Sequence, residues 1–197
     1  DEEGTFVWKN PHTLNQLYFP LGNEAGIMSS VTPRLNGDSK TGQHTFLLLP
    51  VSVEDLHNNR SARNFWIYNE ALGPYSLTGN SARQNAKQFS EEDSVDTTIQ
   101  GELLAHRLIR DDKEAGIKTE MISFVPVTED AVELLWVRIT NISSGPVRFT
   151  ATSAIPIFGR SAENIRDHKH ATSMIHRQER NKNGVIVTPV IFHDERG

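Results

Sequence analysis

"GIKTEMISFVPVTEDAVELLWVRITNISSGPVRFTATSAI", residues 116–155, decides the fold class. In its last part, "VRFTATSAI" (147–155), Val147, Phe149, Ala151, Ser153 and Ile155 fall on one side. Arg148, Thr150, Thr152 and Ala154 fall on the other, the period of two that marks a half-buried strand. "AVELLWVRITNI" (131–142) sets Leu135, Val137 and Ile139 on one face and apolar Val132, Leu134 and Trp136 opposite. Apolar residues on both faces predict a central strand covered on both sides. "GIKTEMISFVPV" (116–127) reads as a third strand, and "TED" (128–130) and "ISSGP" (142–146) supply turn chemistry between them.

Outward from this stretch, "TIQGELLAHRLIRD" (98–111) and "GVIVTPVIF" (184–192) are further strand candidates, the latter behind the turn "NKNG" (181–184). Between about residues 98 and 158 the strands follow at the spacing of antiparallel meanders, with no helical pattern between them. The expected fold is all-β, a large antiparallel β-sandwich with long polar loops and one or two short helices. Helical signal is confined to "NSARQNAKQFSEED" (80–93), behind an Asn or Ser cap, and "GRSAENIRDHKH" (159–170). The first sixty or so residues are less regular, with strand-like "TFVW" and "HTFLLLPVSV" among Gly- and Pro-punctuated loops. No internal repeat or low-complexity tract divides the 197 residues, so residues 1–197 read as a single domain.

Bulk composition excludes several classes. A net charge of −5 argues against a general nucleic-acid binder. No apolar run approaches the roughly 18 residues of a membrane-spanning helix, and no signal-peptide pattern opens the chain. The absence of cysteine removes disulfides, thiolate metal sites and cysteine nucleophiles, and fits a cytoplasmic protein. The sequons at Asn59 and Asn141 are short enough to arise by chance. The chain begins at Asp1 rather than Met and stops directly behind a strand-like run, which reads as a piece of a longer protein.

Four polar segments stand out from the strands. "YFPLGNEAGIMSSVTPRLNGD" (18–38) is a glycine- and proline-rich loop with few regular positions. "EDLHNNRSARNFWIYNEALGPYS" (54–76) reads as one connection carrying His57, Asn58, Arg60, Arg63, Asn64, Trp66, Tyr68 and Tyr75. "GRSAENIRDHKHATSMIHRQER" (159–180) carries Arg160, Asn164, Arg166, Asp167, His168, His170 and His176, and "HDER" closes the chain.

Arginine and asparagine beside tryptophan and tyrosine suit a sugar: ring faces cover the apolar side of a pyranose, and planar donors and acceptors read its hydroxyls. Arginine forks also suit phosphate. The competing reading is that these side chains tie long loops to the sandwich by hydrogen bonds to exposed backbone. His168 and His170 beside Asp167 would lie on one face of an extended segment, but no third ligand in a fixed motif completes a metal site. Glu91, Glu92 and Asp93 read as a solvated face, and "GNEAG" (22–26) matches neither the Rossmann nor the P-loop spacing. No pattern singles out Glu54, Asp55 or Asp167 as a general acid, and no Ser-His-Asp set has a nucleophile context.

"YFPLGNEAGIMSSVTPRLNGD", "PVSVEDLHNNRSARNFW", "AIPIFGRSAENIRDHKHATSMIHR" and "FHDERG" together resemble the N-terminal region of the inverting glycoside phosphorylases of glycoside hydrolase family 94, formerly glycosyltransferase family 36. Within that group they look closest to the 1,2-β-oligoglucan phosphorylases, and residues 116–157 resemble the group more broadly. The likeness runs from about residue 10 to the end.

It implies a galactose-mutarotase-like sandwich in front of an (α/α)6 barrel that carries the catalytic acid, so this chain holds no catalytic residue. The implied parent reaction is phosphorolysis of β-1,2-linked gluco-oligosaccharides to α-glucose 1-phosphate, with inorganic phosphate as co-substrate and no cofactor or metal. The implied partners are the glucan, phosphate, the chain's own barrel and a second subunit in a homodimer, with neither nucleic acid nor membrane. The candidate substrate-binding residues are Arg60, Arg63, Asn64, Trp66, Arg166 and His168. The alternative is a stand-alone carbohydrate-binding or structural sandwich module.

Overall fold

The computed structural model describes residues 4–11, 18–42, 44–49, 63–90, 92–161 and 176–189. A five-stranded antiparallel sheet runs in the order β1 (Phe6–Lys9), β8 (Asp96–Gly101), β9 (Ala105–Asp112), β10 (Ile117–Phe124), β11 (Leu134–Asn141). A four-stranded sheet follows chain order through β2 (Phe19–Gly22), β3 (Met28–Val31), β4 (Ser39–Gly42) and β5 (Thr45–Leu48). A three-stranded sheet pairs β6 (Asn64–Asn69) with β12 (Thr150–Ala154) on one side and β7 (Gly73–Ser76) on the other. A hairpin, β13 (Arg177–Asn181) and β14 (Gly184–Thr188), completes the strands described.

The fold is all-β, and its layers follow from alternation. Along β9 every second residue is buried: His106, Leu108, Arg110 and Asp112. β10 repeats the pattern with Ile117, Thr119, Met121 and Ser123. Register then sets Leu108 between Ile99 and Met121. Against this inner face pack Phe19, Leu21 and Val31 from the four-stranded sheet and Ile67 and Tyr75 from the three-stranded one, in one cluster. Each such fully buried aliphatic side chain is worth about 1.5–3 kcal/mol relative to an exposed one.

Of the meander expected between residues 98 and 158, β8 to β11 are present up to Asn141, with residues 116–127 supplying β10, whereas β12 leaves it to pair with β6. The helix expected over 80–93 forms as α1 (Ala82–Phe89). Ser81 caps it by accepting from the Gln84 amide, and the Gln84 side chain returns to the Ser81 amide.

Several expectations are corrected. Residues 98–111 form two strands rather than one, because the chain turns at 102–104, where the Glu102 amide donates to the Ala105 carbonyl (2.9 Å). Residues 131–142 do not supply a doubly covered central strand: among the described residues β11 is the last strand of its sheet, and only one of its faces packs on the core. Leu135, Val137 and Ile139 pack on the core, while Leu134 and Trp136 stay exposed on the outer face, with the Arg138 guanidinium 4.5 Å from the Trp136 ring. In 147–155, β12 occupies only Thr150–Ala154 and is open on both faces; Val147 alone of its apolar row packs on the core.

The supposed loop 18–38 contains β2 and β3, and the supposed connection 54–76 becomes, from Asn64 onward, the β6–β7 hairpin. Residues 50–62, 162–175 and 190–197 lie outside the described residues, and with them most of the 159–170 helix and the end of 184–192. No helix among the described residues is long and apolar enough to cross a membrane.

Candidate functional site

β6 explains how one short stretch can face two ways. Phe65 and Ile67 point to the core, so Trp66 and Tyr68 share the opposite face of the three-stranded sheet. Across the strand, Thr152 and Ser76 lie opposite Trp66, and Thr150 and Pro74 lie opposite Tyr68. Trp66 is half-buried and Tyr68 exposed. The result is an aromatic face bordered by the exposed Thr150 and Thr152, the Ser76 hydroxyl being buried against Asn64.

The hairpin is held in shape by Asn69. Its Oδ1 accepts from the amides of Ala71 (2.8 Å) and Leu72 (3.4 Å), and its Nδ2 donates to the Arg148 carbonyl (2.8 Å). The last bond draws the approach to β12 against the hairpin turn.

Arg63, just before β6, is 2 % exposed. Its Nε donates to Glu133 Oε1, its Nη1 to Gly37 O (2.9 Å), and its Nη2 to Asp38 O (2.7 Å) and Glu133 Oε2 (3.0 Å). Its own amide donates to Leu35 O (3.0 Å). Glu133 also accepts from Ser29 Oγ and, at 3.5 Å, from Ser123 Oγ. Burial pushes the Glu133 carboxyl up, but the Arg63 hydrogen bond and charge, with Ser29 and Ser39, hold it net below the usual carboxylate range. The guanidinium therefore bolts the start of β6 to the 35–38 turn and to the mouth of β11.

Asn64 is likewise buried, its Oδ1 accepting from Ser76 Oγ (3.0 Å) and Thr78 Oγ1 (3.3 Å). Of the six sequence candidates, then, the structure describes Arg63, Asn64 and Trp66. The first two are turned inward and hold the scaffold instead of reaching a ligand; Trp66 has accessible surface. Arg60, Arg166 and His168 lie outside the described residues, as does the His168–His170 pair.

Arg160 is described. Its segment pairs with β5 through Phe46 N to Arg160 O (2.8 Å) and Arg160 N to Phe46 O (3.1 Å), with Phe158 N donating to Leu47 O (2.7 Å). Nearby, burial lowers the His176 imidazole's proton affinity and the Arg160 charge lowers it further, against a partly opposing bond from Phe158.

The Arg63 end of the first segment and the Arg160 end of the second are thus tied to the four-stranded sheet, whereas the His176 end of the second leads into the separate β13–β14 hairpin. Residues 50–62 follow shortly after β5 and return through Arg63 onto the turn between β3 and β4, and 162–175 follow a segment paired to β5. Sequence reasoning missed Glu133, whose only signal is a lone carboxylate before an apolar strand. It also missed Thr150 and Thr152, which alternation alone marks as facing the same way.

No group of three or more His, Asp or Glu able to hold a metal occurs among the described residues. The chain matches no protein-family model and no curated protein sequence.

Proposed function

We propose that this chain is the non-catalytic sandwich of an inverting glycoside phosphorylase acting on β-1,2-linked gluco-oligosaccharides. In this reading the polar segments noted in the sequence at 54–76 and 159–170 serve a sugar-binding cleft completed by a separate catalytic barrel. The observation that supports the reading is the Trp66–Tyr68 face of β6, which follows directly on Arg63 and has Thr152 and Thr150 of β12 opposite it. The likeness of residues 18–38, 50–66 and 154–177 to glycoside hydrolase family 94 supplies the substrate class.

Chemically, the general acid of the parent reaction protonates the glycosidic oxygen while inorganic phosphate attacks the anomeric carbon from the opposite face. Phosphate is itself the nucleophile, so no base is required of this chain. What the sandwich contributes in this reading is apolar ring surface from Trp66 and planar donors from Arg60, Arg166 and His168, while Arg63 holds the start of β6 in place.

The test is phosphate-dependent formation of α-glucose 1-phosphate by the full-length protein carrying this chain, with sophoro-oligosaccharides and cellobiose side by side. Turnover of the β-1,2 series alone supports the reading, and turnover of neither overturns it. Trp66→Ala is expected to raise the KM for the oligosaccharide roughly tenfold, the loss of one ring-stacking contact. An unchanged KM and kcat would remove the β6 face from the site.

A further inference from the structure

A second surface shares no residue with the Trp66 face. Between the β2–β3 turn and the ends of β8 and β10 runs a groove of about 590 Å³, walled by Ile27, Met28, Leu104 and Val127. A shallower depression of about 390 Å³ shares Leu104 and Val127 with it and continues past Leu103 and Glu102. Its walls are exposed where a sandwich would ordinarily be polar: Leu103 is 85 % accessible and Val127 80 %.

The groove is built in advance. Asn23 Nδ2 donates to the carbonyls of Pro126 (3.0 Å), Thr128 (3.2 Å) and Asp130 (2.9 Å), clamping the β10–β11 connection onto the β2–β3 turn. A segment laid into it would not have to order this wall on binding.

Charge decides what fits. Glu24 and Glu129 line the groove and Glu102 its extension, and no Lys or Arg lines either. Among the described residues Glu102 meets Arg107 at 3.4 Å, whereas Glu24 and Glu129 have no ion-pair partner. The groove itself has no aromatic wall and its extension only Phe124, so neither offers the ring with a polar edge that Trp or Tyr gives a sugar. An anionic lipid surface would be repelled by the carboxylates.

We propose that this groove docks a basic, aliphatic segment of a partner polypeptide, in which leucine-like side chains fill the apolar floor. The stems of Lys or Arg lie along Met28 and Val127 and bring their charges to Glu24 and Glu129. This assignment stands apart from the glycan reading and does not depend on it.

The experiment measures fluorescence anisotropy of a short fluorescein-labelled peptide of alternating arginine and leucine with the full chain. Peptides with glutamate or serine in place of arginine serve as controls. Binding of the arginine peptide alone, weakening as ionic strength rises from about 0.01 M to about 0.15 M, is the expected result. Glu24→Gln with Glu129→Gln should weaken binding about fivefold, as loss of two exposed ion pairs does. Val127→Ser should weaken it about threefold through lost apolar contact. All three are exposed positions, and thermal melts check that the fold survives.

Glu92→Gln with Glu179→Gln removes the same net charge elsewhere and should leave binding unchanged. Equal loss from that remote pair, or equal binding of the serine peptide, overturns the proposal. So does displacement of the peptide by a gluco-oligosaccharide, or self-association of the chain that Glu24→Gln abolishes.

Discussion

Two polar clusters interrupt the apolar inner face of the five-stranded sheet, and each contains an arginine only 2 % exposed. Around Arg63, four N–H groups meet carbonyls and a carboxylate, and Glu133 is in turn held by serines. Around Arg110, Nε and Nη2 meet no acceptor among the described residues. Its neighbours are the Tyr75 hydroxyl, which donates to Asp112 (2.7 Å), and Arg34, whose proton affinity is lowered by burial and then by the Arg110 charge. Equal burial thus hides unequal satisfaction. A buried charge with a complete set of partners fixes geometry, and one without them is a local cost that the surrounding packing offsets.

The sharpest way to break this comparison is truncation of the two arginines. Arg63→Ala leaves Glu133 as a buried carboxylate without its cation, and should cost about 3–5 kcal/mol of unfolding free energy. Arg110→Met removes a cation that already lacks two acceptors, and should cost less than half as much as Arg63→Met. Urea denaturation of the purified chains measures both, and equal losses would mean that the hydrogen-bond inventory does not track energy here.

The next effect is a pH dependence specific to the Arg63 side. His106 is fully buried, with both ring nitrogens unpartnered among the described residues and the Phe19 ring 4.5 Å away. Burial, helped by the Arg63 charge, lowers its pKa from 6.5 to about 4. The unfolded chain therefore binds a proton between those values while the folded chain does not, so stability falls as pH drops from 6.5 toward 4. The full effect approaches about 3 kcal/mol. Glu133, held below its usual range, contributes stability that is lost only below its unfolded pKa of 4.5. A decline in unfolding free energy that begins above pH 5 and disappears in His106→Leu identifies the histidine. A decline confined to lower pH would point to Glu133.

Much of this architecture was legible because alternation is a local signal. The meander from β8 to β11 and the Ser81-capped helix needed only apolar spacing and turn or cap residues. β2 and β3 were hidden because Pro20, Gly22 and two serines interrupt their apolar rows, yet tertiary pairing supplies what propensity withholds. β13 reads "RQERN" and is exposed throughout, so no hydrophobic period could announce it. Coverage misled in β11, since apolar residues on both faces say that a strand can be buried, not that this chain buries both. In the candidate site, Arg63 looked like a ligand-binding fork, and its acceptors lie 25 to 70 residues away in sequence, where no spacing rule reaches.

A smaller effect probes the Arg110 side directly. Gly79 has φ +80°, and a Cβ there would stand 2.0 Å from Arg110 Nη1. Gly79→Ala should cost about 2 kcal/mol, part from the left-handed backbone and part from displacing the guanidinium. Combining it with Arg110→Met should recover the second part but not the first. Full additivity in that double-mutant cycle would show that the close approach carries no energy.

The smallest predicted change tests whether Tyr75 is what Arg110 has in place of a carboxylate. Burial raises the Tyr75 phenol's pKa, the Arg110 charge opposes this, and the hydrogen bond to Asp112 reinforces it, so the group stays protonated and bridges cation to anion. Tyr75→Phe keeps the ring in the core but removes the bridge, leaving Asp112 with the Ala115 amide (2.8 Å) as its remaining partner in the cluster. Unfolding free energy should fall by about 1–2 kcal/mol, the cost of one hydrogen bond to a charged group. If the bridge is what makes Arg110 tolerable, the same substitution in Arg110→Met should cost clearly less. An undiminished cost there would mean that Tyr75 serves Asp112 alone, and that nothing in the cluster compensates the second buried guanidinium.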